Sequence, residues 1–160
     1  FYDDNAERMI FFAKSALETV KKFGWPPHVI HCHGWMTSLI PLYLKTAYKK
    51  DPVFGYTKSI FTVQNDQFEE SLNATFNKKA LVNTDMKEKD FELYAPGTNE
   101  ALTLGAMKYA DVLVAGQADL NPTFKAELKP SRYKKIIQHD ENWTNDVTDL
   151  LELYKTLTES

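Results

Sequence analysis

Pro26-Pro27-His28-Val29-Ile30-His31-Cys32-His33-Gly34-Trp35-Met36-Thr37 is the stretch that decides the fold. Two prolines close whatever precedes them, because neither donates a backbone hydrogen bond and each restricts the residue before it. A short run rich in β-branched residues follows, then Gly34, then an apolar-periodic segment from Trp35 to Tyr48. That order predicts a buried strand over 28–32, a tight turn, and a helix over 35–49. In open α/β sheets, ligands bind in the loops that leave the carboxyl ends of strands. His33 and Gly34 stand at such a place.

Upstream, Asp3 and Asp4 precede an apolar stripe at Ala6, Met9, Ile10, Ala13, Ala16, Leu17 and Val20, and Lys21, Lys22 and Gly24 follow it. Acidic residues at the start, basic residues at the end and a closing glycine frame a helix. Downstream, Asp51-Pro52 and Gly55 mark turns. Ser59-Ile60-Phe61-Thr62-Val63 then reads as a second buried strand, ending at Gln64-Asn65-Asp66. Its carboxyl end brings polar groups to the same edge as His33.

Residues 66–98 hold acidic pairs, Asn-led turns and a short helix around Met86–Leu93, stopped by Pro96-Gly97. An insertion of that length in an α/β unit is usually functional or mobile. A helix from Asn99 to Tyr109, a third strand over Asp111–Gly116 and a short helix from Pro122 through Leu128 come next. A weaker strand over Tyr133–Ile137 precedes a last helix, capped by Thr144 or Asn145, with Val147, Leu150, Leu151 and Tyr154 on one face. Helices and strands in strict alternation predict a parallel sheet covered on both sides, in one α/β domain over 1–160.

Composition narrows the function classes. The 160 residues are 43% hydrophobic and 26% charged, the balance of a globular domain. A net charge of -3, with no basic run beyond two residues, argues against nucleic acid. No apolar run approaches the roughly 20 residues of a membrane helix, and no charged-then-apolar leader is expected. The single cysteine, Cys32, has no partner for an internal disulfide, so a cytoplasmic location is expected. Because the chain opens on Phe1 without an initiator Met, it is expected to be an excised segment of something longer.

On a strand, His31 and His33 share one face and Cys32 takes the other. Three ligand-type residues in a row do not converge tetrahedrally, and no second pair exists, so no metal site is expected. A strand-interior Cys is usually a small buried hydrophobe, and His31 inside the strand reads as a satisfied core residue. His33, where the strand gives out, either contacts a ligand or bridges the turn. The six glycines are scattered singly and build no phosphate-cradling loop, so no cofactor is implied. Gly34 before a helix start is a weak anion-binding signal. The carboxylates at Glu69-Glu70 and Glu88–Asp90 read as a solvated face.

Several blocks together resemble the bacterial glycogen and starch synthases. They are Tyr2-Asp3-Asp4-Asn5-Ala6-Glu7-Arg8 with Phe11-Phe12, Gly24-Trp25-Pro26-Pro27, His31-Cys32-His33-Gly34-Trp35 and Pro41-Leu42-Tyr43-Leu44-Lys45. The likeness continues through Phe61-Thr62-Val63-Gln64-Asn65 and Tyr109-Ala110-Asp111. It is dense over residues 2–65 and thin over 100–125. The resemblance implies a three-layer Rossmann-like sheet, the second half of the N-terminal domain of a GT-B glycosyltransferase. It implies retaining transfer of glucose from ADP-glucose to an α-1,4-glucan. It also implies that His33 is the catalytic position that meets the transferred glucose, with Gly34, Trp35, Gln64, Asn65 and Asn99 as substrate-binding positions.

The chain departs from the family pattern at named positions. His-Asp-Trp-His becomes His33-Gly34-Trp35-Met36, and Thr-Val-His-Asn becomes Thr62-Val63-Gln64-Asn65. The family's Asn and Lys before Tyr109 fall on Ala101 and Leu104, with Asn99 two positions early, and Thr-Val-Ser-Pro becomes Val114-Ala115-Gly116-Gln117. By length, the chain is expected to lack the second, nucleotide-binding domain that supplies the family's Arg, Lys and Glu. It is therefore expected to be inactive alone, its missing half coming from further chain or from a partner. The alternative is a non-catalytic carbohydrate-binding, regulatory or scaffold module of glycogen metabolism.

Overall fold

The computed structural model describes residues 1–65, 68–130, 134–141 and 147–159. Strands β1 (Val29–His33), β2 (Lys58–Val63), β3 (Val112–Ala115) and β4 (Lys135–Ile137) form one parallel sheet in the order β1-β2-β3-β4. Parallel neighbours need long crossovers. Helix α2 (Leu39–Lys45) supplies the first, α3 (Phe76–Lys79) and α4 (Asn99–Tyr109) the second, and α5 (Pro122–Glu127) the third. Helix α1 (Asn5–Phe23) precedes the sheet and α6 (Thr148–Thr158) follows it.

Strand side chains alternate between the two faces, and the two cores follow from that alternation. Cys32, Phe61, Val63, Leu113 and Ala115 face Met9 and Leu17 of α1, Tyr43 of α2, Leu102 of α4 and Phe124 of α5 in the larger core. Ile60, Val112 and Val114 face the other way, where Leu153 of α6 covers them with Leu150, Tyr154 and Leu157 alongside. The result is the expected three-layer α/β sheet, with unequal layers. Among the described residues, α6 is the one helix on its side.

Most predicted elements stand close to where the sequence put them, and α4 spans the predicted 99–109. Thr98 caps it by accepting a hydrogen bond from the Ala101 backbone N–H at 3.2 Å. Gly24 ends α1 in the left-handed conformation, at φ 62°. The predicted helix over 35–49 is broken instead. Trp35–Thr37 forms a 3-10 turn, and α2 covers only Leu39–Lys45. Pro41 fits in the first turn of α2, where a missing N–H costs nothing. Thr46 then leaves helical geometry, its hydroxyl donating to the Leu42 carbonyl at 2.7 Å.

The helix predicted around Met86–Leu93 is one 3-10 turn, Glu88–Phe91. The insertion holding it is packed rather than loose. Phe76 and Phe91 meet edge to face, Tyr94 tilts against Phe91, and the fully buried Tyr94 donates its hydroxyl to the Ser38 carbonyl at 3.0 Å. Gly105 of α4 lets that ring approach. A Cβ there would lie within 2.6 Å of three ring carbons. The caps proposed at Thr144 and Asn145, and Tyr133 at the start of the predicted fourth strand, lie outside the described residues. The buried stripe of α6 runs through Leu150, Leu153, Tyr154 and Leu157, while Val147 and Leu151 are exposed. The stripe repeats at three and four residues from the one position, Leu153, that is fully covered.

Candidate functional site

All four strands run the same way, so their carboxyl ends share one edge. Strand β1 runs one residue further than predicted. His33 is its last residue, paired with Thr62, because the ladder with β2 continues to that point. Gly34 then turns the chain at φ 72° and ψ 168°, a conformation open to glycine at little cost. The Thr37 hydroxyl lies within hydrogen-bond distance of the carbonyls of His33 at 3.0 Å and Gly34 at 2.9 Å, and so ties the turn back to the strand.

The His33 ring is exposed at this edge and stacks on the His31 ring, with centroids 4.1 Å apart and planes 28° from parallel. His31 is held on both sides. Its Nδ1 lies 2.5 Å from the Tyr154 hydroxyl and its Nε2 lies 2.7 Å from the Thr62 hydroxyl. Burial, and secondarily the neighbouring His33, push its pKa down to about 4. Partial desolvation lowers that of His33 as well. Both shifts favour the neutral imidazole. A neutral imidazole exchanges hydrogen bonds with hydroxyls, but it does not neutralise a diphosphate. Cys32 points into the opposite core at 1% exposure, and burial pushes its thiol up to about 12, which removes it as a nucleophile.

Trp35 is half-buried beside this turn, edge-on to Phe68 at 5.1 Å, with Phe1 tilted against Phe68 at 4.9 Å. Gln64 follows β2 directly. Gly116 leaves it room, since a Cβ at that glycine would lie 3.0 Å from the Gln64 Cγ and 2.8 Å from the Thr62 methyl. Asn65 is occupied within the chain. Its Oδ1 accepts from the Asn121 N–H at 2.7 Å, its Nδ2 donates to the Asp119 carbonyl at 3.0 Å, and its own N–H donates to Gln117 Oε1 at 3.1 Å. It clamps the loops after β2 and β3 together. Only Ala110 and Asp111 separate α4 from β3, so the start of α4, with Asn99, lies toward the carboxyl edge. Asn99 is 3% exposed and sits beneath the surface.

The structure thus brings His33, Gly34, Trp35, Gln64 and Asn65 to one edge and leaves Asn99 buried below it. Sequence reasoning missed Thr62, Phe68 and Tyr154, which surround them. Tyr154 lies 123 residues from His31 in the chain, and no local pattern links the two. A cavity of about 330 Å³ adjoins the edge at the ends of β3 and β4, lined in part by Gln117, Lys125, Gln138 and His139. Among the described residues, no three His, Cys, Asp or Glu side chains are grouped to hold a metal ion. No helix among them is long and apolar enough to cross a membrane.

Residues 1–135 match the family model of the starch synthase catalytic domain. The chain belongs to this family. The glycogen synthase of Desulforudis audaxviator is 35% identical over 137 residues, covering 82% of this chain and 25% of that protein. The glycogen synthase of Elusimicrobium minutum is 42% identical over 94 residues, covering 58% of this chain and 20% of that protein. The chain thus spans a quarter or less of the length of these two relatives. The solved catalytic domain of Starch Synthase IV from Arabidopsis thaliana, bound to ADP and acarbose, superposes with a TM-score of 0.56 at 16% identity. That superposition covers 98% of this chain and 29% of the other, and it shows the fold alone. As a member of the starch synthase family, the chain has the parallel α/β fold of part of a GT-B catalytic domain.

Proposed function

We propose that the chain is the sugar-contacting part of a glycogen or starch synthase-like protein. On this reading His33 meets the glucosyl group that passes from ADP-glucose to an α-1,4-glucan, with Gly34, Trp35 and Gln64 around it. The observation that carries it is the His33 ring, exposed at the carboxyl edge inside the family-matched segment. A hydroxyl-rich ligand suits that ring and the aromatic wall of Trp35 and Phe68.

The residues assigned to that contact do not supply what transfer needs. His33, Gly34, Trp35, Gln64 and Asn65 carry no cation. Expulsion of a diphosphate draws on preorganised positive groups, each worth about 3 kcal/mol. The proposal is therefore that this chain alone binds sugar without turning over, and that further chain or a partner supplies the charge. A non-catalytic carbohydrate-binding role is favoured by one observation, the engagement of both amide atoms of Asn65 by backbone groups. The lone buried Cys32 suits action in a reducing cytoplasm.

Titrating the chain with maltoheptaose and with ADP-glucose, followed by NMR, tests the binding reading. Saturable shifts at His33, Gly34 and Trp35 are expected. No shift there with either compound would overturn it. Glucose transfer to glycogen by the isolated chain would overturn the proposal of inactivity and the non-catalytic role.

A further inference from the structure

We propose that Tyr154 of α6 is a positioning residue for His33 and acts through His31. Helix α6 lies beyond the residues 1–135 that match the family model, yet its tyrosine reaches the candidate site. His31 and His33 share a face because they alternate along β1, and Thr62, the register partner of His33, lies on that face too. The Tyr154 hydroxyl, 2.5 Å from Nδ1, and the Thr62 hydroxyl, 2.7 Å from Nε2, grip the His31 ring from opposite sides. The phenol is the stronger acid, so we assign it the donor role, which leaves the His31 proton on Nε2 and directed at Thr62. The Tyr154 ring stands edge-on to His31 at 5.8 Å and 76°, a second restraint on the same imidazole.

His33 receives its orientation from that fixed partner. No hydrogen bond to its ring nitrogens occurs among the described residues, and its ring contact is the stack on His31. A surface imidazole left alone samples several rotamers, whereas one stacked on an immobilised ring keeps fewer and leaves both nitrogens for a ligand. Leu153 anchors α6 over Ile60, Val112 and Val114 independently of the hydroxyl. Removing the hydroxyl alone therefore separates orientation from packing.

The role in ligand contact rests on the proposed reading of His33, and the experiment keeps the two apart. Tyr154→Phe retains the ring and deletes one grip on His31, while Thr62→Val deletes the other with nearly the same shape. Lys155→Ala, exposed one position further along α6, is the control. In ligand-free chain, imidazole ¹⁵N and ring-proton NMR signals of His33 are expected to move toward free-imidazole values in both test variants and not in the control. Maltoheptaose affinity is expected to fall about three- to tenfold in both. If the His33 signals stay where they are in Tyr154→Phe and Thr62→Val, the positioning role is wrong whatever binds. If they move and maltoheptaose affinity does not change, the role in ligand contact is wrong. If wild-type chain binds neither maltoheptaose nor ADP-glucose, the functional reading fails, while the ligand-free spectra still decide whether α6 orients His33.

Discussion

Acid should weaken this fold through His31, and the structure sets both the window and the size. The ring is partly buried with both nitrogens engaged, and its pKa falls from the ordinary 6.5 to about 4. Between those values the unfolded chain holds a proton on this residue that the folded chain refuses. Stability attributable to neutral His31 is therefore complete above pH 6.5 and is lost as pH falls toward 4. A displacement from 6.5 to about 4, at about 1.36 kcal/mol per pH unit, gives a ceiling of about 3 kcal/mol. Partial solvent access to the ring reduces the expected loss to about 2 kcal/mol. Urea unfolding of wild type and His31→Gln from pH 7.5 down to about 4 measures it, because Gln keeps hydrogen-bonding capacity without titrating in this range. Wild type should lose about 2 kcal/mol more than the variant across the window. Equal losses would show that burial and the neighbouring His33 do not hold His31 neutral in the folded chain.

Three further outcomes follow from packing and burial. Gly105→Ala should cost about 2–3 kcal/mol in urea unfolding, because its Cβ has no room against the buried Tyr94 ring. An unchanged midpoint would refute that close approach. Asn65→Ala should cost about 1–2 kcal/mol and speed amide exchange at Asn121, whose N–H loses its acceptor; unaltered exchange there would contradict the clamp. Cys32, buried with its thiol pushed up to about 12, should react with a thiol reagent no faster than the chain unfolds. Prompt labelling of the native protein would show that the thiol is accessible.

The sheet was legible because its strands are short apolar runs punctuated by Pro, Gly and Asp, signals carried within each segment. Helix α4 was legible for the same reason, with Thr98 before it and β3 directly after it. The 3-10 turn at Trp35–Thr37 was not, since an apolar period looks alike whether the first turn is tight or regular, and tertiary contacts with α1 and α4 decide. The face of α6 depends on which residue meets Ile60 and Val114, a contact about 90 positions distant for Ile60 that periodicity does not encode. At the site, the placement of His33 and Gly34 followed from chain order. The supports around them did not. The Tyr154 contact to His31, the Phe1–Phe68–Trp35 cluster and the two-sided engagement of Asn65 all join segments remote in sequence.

Calorimetric titration of maltoheptaose into wild type and His33→Ala tests the central claim most directly. Wild type should bind, and the variant should lose most of that affinity while keeping the melting temperature of the parent, because an exposed strand-end ring contributes little core area. Equal affinity in the two proteins, with both folded, would place the sugar site away from this edge and contradict the account.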